Sequence, residues 1–126
     1  MKIIHSDKLP APGGHYSPAV LSGNHLNISG QLPISLDNPQ PRGDLAEQAH
    51  VVFSNIDALL ATENIDKCHL INVQIYLCDV ALWPELNRLY AEWMGDHRPA
   101  RTVVPCSALH YGALLEVSAI AEITLS

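Results

Sequence analysis

The sequence predicts an α+β fold, a sheet with two helices packed on one of its faces. Three observations lead there. Two stretches repeat apolar residues at three- and four-residue spacing, the period of a helix with one buried stripe. Several others alternate apolar and polar residues, the period of a strand with one buried face. Their order, strand–strand–helix–strand–helix–strand–strand, places both helices after strands, as in sheets that gather their helices on one side.

A short apolar strand, Lys2-Ile3-Ile4-His5, opens the chain, and Leu9 to His15 then sets two prolines and two glycines in an irregular loop. That loop delivers Tyr16-Ser17 to a strand from Ala19 to Ser22. Gly23-Asn24 makes a turn, and His25 to Gln31 returns as the second strand of a hairpin. Gly30 inside that strand signals either a bulge or the close approach of a ligand or another backbone. Leu32 to Arg42 holds three prolines without periodicity and reads as loop.

Asp44 suits the N-cap of the first helix, and Glu47 completes a capping-box pattern with it. Leu45, Ala49, Val52, Phe53, Ile56, Leu59 and Leu60 then form one apolar stripe to about Ala61. In the next strand, Leu70 to Leu77, alternation predicts Ile71, Val73, Ile75 and Leu77 toward the helices. Asn72, Gln74 and Tyr76 fall on the other face. The second helix runs from about Trp83 to Met94, with Pro84 in its first turn and Gly95 just past its end. Leu82, Leu86, Leu89, Tyr90, Trp93 and Met94 supply its stripe. Asn87, at the stripe's edge beside Trp83 and Tyr90, reads by itself as a boundary residue capping a neighbouring loop.

Two strands close the chain, Arg98 to Val104 and Leu114 to Glu122, joined by a hairpin loop or a short crossover of about eight residues. Leu115, Val117, Ala119, Ala121 and Ile123 point one way in the last strand, and Glu116, Ser118, Ile120 and Glu122 the other. A carboxylate at Glu116 in so apolar a strand asks for a partner, and Arg101 is the expected one. The pair reads either as a structural salt bridge or as an arginine and a carboxylate that hold an anionic substrate and activate water.

Composition narrows the function classes. A chain of 126 residues fits one domain, residues 1–126, with a real core. Net charge is −6 with no basic patch, which disfavours nucleic acid. No apolar run reaches the length of a membrane span. Three cysteines without Cys-x-x-Cys spacing read as reduced thiols of a cytoplasmic protein. Seven scattered histidines form no His-x-His or His-x-x-x-His pair, so no metal is expected. Cys106 near His110 lacks an indicated base and reads as structural. Neither a Gly-rich phosphate loop nor a Gly-x-Ser-x-Gly elbow is present.

Several segments carry a resemblance. They are Tyr16-Ser17 followed by Ala19-Val20, Ser29-Gly30-Gln31, Gly43-Asp44 with Gln48 and Asn55-Ile56, and Val73-x-Ile75-Tyr76-Leu77-x-Asp79. Asn87-x-x-Tyr90-x-x-Trp93, Pro99-Ala100-Arg101, Gly112-Ala113-Leu114 and Glu116 to Ala121 complete the set. In this order they resemble the RidA/YjgF family of imine and enamine deaminases. The resemblance implies a chorismate-mutase-like mixed sheet, assembled as a homotrimer with sites between subunits and using no cofactor. It implies hydrolysis of 2-imino or enamine acids to 2-keto acids and ammonia, of the 2-iminobutanoate and 2-iminopropanoate type. Arg101, Glu116 and Tyr16 would be catalytic, and Arg101, Ser29, Gly30 and Asn87 would bind substrate. His15, Pro18 and Val103 depart from the family's usual residues, which bears on substrate range. Two rival readings stay open: a trimeric binder of small carboxylates without turnover, and an endoribonuclease or translation inhibitor.

Overall fold

Residues 1–124 are described by a computed structural model. They form β1 (Lys2–Ile4), β2 (Ala19–Ser22), β3 (His25–Gln31), α1 (Leu45–Ala61), β4 (Leu70–Leu77), α2 (Trp83–Met94), β5 (Ala100–Pro105) and β6 (Leu115–Glu122). All six strands share one sheet, in the order β1-β2-β3-β6-β4-β5. Only β4 and β5 run parallel, joined through α2; the other neighbours are antiparallel. The last strand thus slots between β3 and β4, at the centre of the sheet. β5 and β6 do not pair, so the crossover reading of their connection is the correct one. Both ends of that connection hang on the end of β4: Cys106 N–H donates to the Leu77 carbonyl at 2.7 Å, and Cys78 N–H to the Leu114 carbonyl at 3.1 Å.

The core forms where the sheet's apolar face meets both helices. Leu26 and Ile28 of β3, Val73, Ile75 and Leu77 of β4, and Leu115, Val117 and Ala121 of β6 pack there. Val52, Ile56, Leu59 and Leu60 of α1 and Leu86 and Met94 of α2 cover them. The predicted capping box opens α1, with Asp44 and Glu47 exchanging side-chain-to-backbone hydrogen bonds at 3.0 and 3.2 Å. Gly95 ends α2 at a positive φ of 70°.

One expectation in β4 is overturned. Ile71 is not a core residue; it is exposed, and Leu70 is buried in its stead. Against β6 the register runs Leu70 to Ala121 and then Asn72 to Ile120, so β4 holds one extra residue there. Such a bulge shifts the alternation by one position, which a regular apolar–polar pattern does not reveal. Beyond it the alternation holds, and Asn72, Gln74, Tyr76, Glu116, Ser118 and Ile120 share the face away from the helices. No helix among the described residues is long and apolar enough to cross a membrane.

Candidate functional site

Glu116 stands on the helix-free face of the central strand, opposite Tyr76 of β4. On its other side β3 bulges: Ile28 pairs with Ala119 and Gln31 with Val117, so Ser29-Gly30 holds the extra residue. Here the glycine is both a bulge residue and a place of close approach. A Cβ built on Gly30 would collide with Oε2 of Glu116. Only glycine lets that carboxylate lie across the strand.

Ser29 fastens the next piece. Its Oγ donates to the Ser17 carbonyl at 2.7 Å, and its N–H donates to the Pro18 carbonyl at 3.0 Å. These bonds hold the end of the Leu9–Tyr16 loop beside Glu116, and Tyr16 leaves half of its surface to solvent. Pro18, one of the departures from the family pattern, is buried and supplies one of those carbonyls. Tyr16, Ser29, Gly30 and Glu116 thereby line one cleft of about 570 Å³.

Two buried amides of α1 shape its surroundings. Asn55 Nδ2 donates to the carbonyls of Ile34 at 2.8 Å and Leu32 at 3.4 Å, both cleft residues. Gln48 bridges its own helix start to β6, donating to the Gly43 carbonyl and accepting from Leu114 N–H at 2.9 Å. Buried amides need such partners, so they fix loop and strand together.

Arg101 and Asn87 lie elsewhere. Arg101 pairs in register with Val73, so its side chain leaves the edge strand β5 on the helix face. Glu116 is level with Tyr76 on the opposite face. The guanidinium carbon sits 4.8 Å from the centre of the Tyr90 ring, a cation–π contact. Among the described residues no ion pair joins Arg101 to Glu116, which corrects the expected pairing within one chain. Asn87, half-buried, precedes Tyr90 by one helical turn and belongs to the Arg101 corner. Val103 points to the same side and packs against the core.

Tyr90 is firmly placed. Its ring meets Phe53 at 6.3 Å and Trp93 at 5.9 Å, both edge-on, while Phe53 and Trp93 stack at 4.3 Å. Trp93 Nε1 donates to both carboxylate oxygens of Asp57 at 3.2 Å. Burial pushes the Tyr90 hydroxyl's pKa above its ordinary value, and the Arg101 charge pulls against that shift. Asp57 is raised too, by partial desolvation of its carboxyl, with the Trp93 bond opposing. The alternation and stripe patterns read Tyr90 only as a core residue; its second role under Arg101 has no sequence signal.

Two further cleft residues escaped the sequence reading, His110 and Tyr111. Tyr111 adopts a φ of 60°, and its only hint was the glycine that follows. Among the described residues no group of three or more His, Cys, Asp or Glu could hold a metal ion.

The family model described as endoribonuclease L-PSP matches residues 6–123. The chain belongs to the RidA/YjgF family. A RutC family protein of Pyrococcus horikoshii is 36% identical over 121 residues, covering 95% of this chain and 96% of that protein. The crystal structure of RidA from an Antarctic Psychrobacter superposes with a TM-score of 0.92 at 31% identity, covering 97% of this chain and 99% of the other. The structure of E. coli TdcF with bound serine gives a TM-score of 0.91 at 25% identity, with 97% and 98% covered. The α+β architecture, a mixed sheet with two helices on one face, is thus that of RidA/YjgF proteins.

Proposed function

We propose that this chain is a deaminase that hydrolyses 2-imino and enamine acids to 2-keto acids and ammonia, at sites completed by a second copy. The observation that supports it best is the Glu116 carboxylate laid over Gly30 in a cleft that lacks its own cation. The missing cation is Arg101, turned outward on the far side of the same sheet. A ring of three copies would set each Arg101 beside a neighbour's cleft and cover the helix-free faces. Closed cyclic assembly of this kind satisfies every heterologous contact. The bound serine in TdcF is in keeping with a small carboxylate as ligand.

In this reading the guanidinium of one copy grips the substrate carboxylate through two parallel hydrogen bonds. That grip fixes the C=N carbon near Glu116 of the other copy, which supplies orientation. Glu116 takes a proton from water as the oxygen adds to C2, and the nitrogen, already protonated, becomes an amine. Glu116 then returns the proton to that amine; as the C–N bond breaks and ammonia leaves, the carboxylate takes the hydroxyl proton, the C=O of the 2-keto acid forms, and Glu116 passes that proton to solvent. Asn87 and the Ser29 hydroxyl orient the substrate, and Tyr16 closes the cleft. Three free thiols suit a reducing compartment, so we place the reaction in the cytoplasm.

The test is imine hydrolysis with substrate generated in situ by an amino-acid oxidase, read as ammonia release above the uncatalysed rate. A binder would hold 2-keto acids and leave that rate unchanged. The family model's endoribonuclease name supports a second reading, against which stands a net charge of −6. RNA cleavage that survives purification and is lost in Glu116→Gln would favour that second reading.

A further inference from the structure

Tyr111 is the residue that the reaction above leaves without a task. Its backbone holds φ 60° and ψ 22°, the left-handed region that bulky L-residues avoid because Cβ crowds the carbonyl oxygen. Glycine would be relaxed there, yet a tyrosine stands in its place with 62% of its surface exposed. Strain of this kind persists where the surrounding structure holds it, and it clusters at ligand sites. The ring reaches toward the Leu9–Tyr16 loop: a Cβ on Gly13 would lie 3.8 Å from the Tyr111 hydroxyl. Tyr16 lies along the same loop, 3.2 Å from a Cβ built on Gly14. Two exposed aromatic rings therefore flank one glycine pair at the cleft.

Size and charge point the same way. A cleft of about 570 Å³ falls in the range of roughly 300–1,000 Å³ that accommodates drug-sized ligands, far more than a three-carbon acid fills. Leu9, Pro12, Leu32 and Ile34 supply apolar wall, Glu116 is the one carboxylate in the lining, and no lysine or arginine is part of it. An anionic substrate side chain would find no lysine or arginine in that lining, and a cationic one would compete for the carboxylate that the reaction needs.

Resting on the deaminase reading, we infer that the substrate is a 2-imino acid with a flat aromatic side chain, phenyl or indole, stacked against Tyr111. Tyr111 is then the specificity-determining residue of the site. Offset or edge-on ring pairs add to affinity beyond the area they bury.

The experiment compares imines made in situ from phenylalanine and alanine, and titrates phenylpyruvate and pyruvate by calorimetry. The wild type should favour the phenyl imine about tenfold or more in kcat/KM. Tyr111→Gly removes the ring and relaxes the backbone, so misfolding does not confound it. It should lower the phenyl-to-methyl ratio about threefold to tenfold, and Tyr111→Phe should preserve the ratio. Equal or reversed preference in the wild type, or a ratio unmoved by Tyr111→Gly, overturns the inference while leaving imine hydrolysis intact. If neither imine is hydrolysed but phenylpyruvate still outbinds pyruvate through Tyr111, the deaminase reading fails and the aromatic subsite stands.

Discussion

The Glu116 region and the Arg101 region occupy opposite faces of one sheet, and they are built by different means. Glu116 sits at the sheet's centre, on a strand paired on both sides, under loops tied down by hydrogen bonds. Arg101 sits on an edge strand and rests on an aromatic stack rather than on a carboxylate. Among the described residues, the first region is a cleft that no lysine or arginine lines, and the second a cation resting on an aromatic ring. What the difference teaches is that one chain does not bring the two side chains together, and under the proposed function the anion's anchor and the proton's acceptor would come from different copies. α1 serves both, through Asn55 toward the cleft loop and through Asp57 toward Trp93.

The largest effect should come from breaking both regions at once and then mixing them. Arg101→Ala should lose about thirtyfold to several thousandfold in 2-keto acid affinity and turnover, the usual loss for a desolvated charge partner. Its melting temperature should fall little, because a part-exposed cation–π contact contributes only about 0.5–1 kcal/mol. Glu116→Gln should still bind 2-keto acids but turn over about 10²–10⁴-fold more slowly. Co-refolded, the two inactive variants should recover about a quarter of the sites, since random mixing in a ring pairs an intact Arg101 with an intact Glu116 that often. No recovery in mixtures shown by mass spectrometry to be hybrid would place both residues of a site in one copy, against the fold described here.

Much of this was legible in the sequence, for reasons that explain what was not. The capping box at Asp44 and Glu47 is local and therefore readable, as is the alternation that turns Glu116 away from the core. A glycine inside a strand pointed to a bulge or a close approach at position 30, and the structure holds both, the close neighbour being Glu116. The face of Arg101, by contrast, depends on β5 pairing with β4 in one particular parallel register, a long-range fact with no local signature. A one-residue slip at Ile71 is equally silent, because it alters pairing without altering composition. Tyr111 was missed because an aromatic residue gives no warning of a left-handed backbone.

The next effect sharpens the Glu116 side. Asn55→Ala removes the donor shared by the Leu32 and Ile34 carbonyls. Leaving buried acceptors unpaired costs about 1–3 kcal/mol, visible as a lower denaturant midpoint with unchanged slope. Because those residues line the cleft, KM should rise more than kcat falls. A stability loss without any change in KM would show that the loop's position is independent of α1.

The smallest effect probes the support beneath Arg101. Asp57 accepts from the indole of Trp93, and partial desolvation raises its pKa above the usual carboxylate value despite that bond. The folded state therefore holds the Asp57 proton more tightly than the unfolded chain does. Its contribution to stability is present below the unfolded pKa and is lost as pH rises through the folded one. Above that window the ionised side chain opposes folding slightly, slightly because the residue as a whole remains exposed to solvent. Asp57→Asn keeps an oxygen for the Trp93 N–H and has no proton to lose. The variant and the wild type should thus be nearly equal at about pH 3, below the ordinary carboxylate range. The variant should gain modestly on the wild type as pH approaches about 7. Urea unfolding at both pH values reads the sign directly, and a wild-type advantage that grows with pH would mean that the indole hydrogen bond outweighs desolvation.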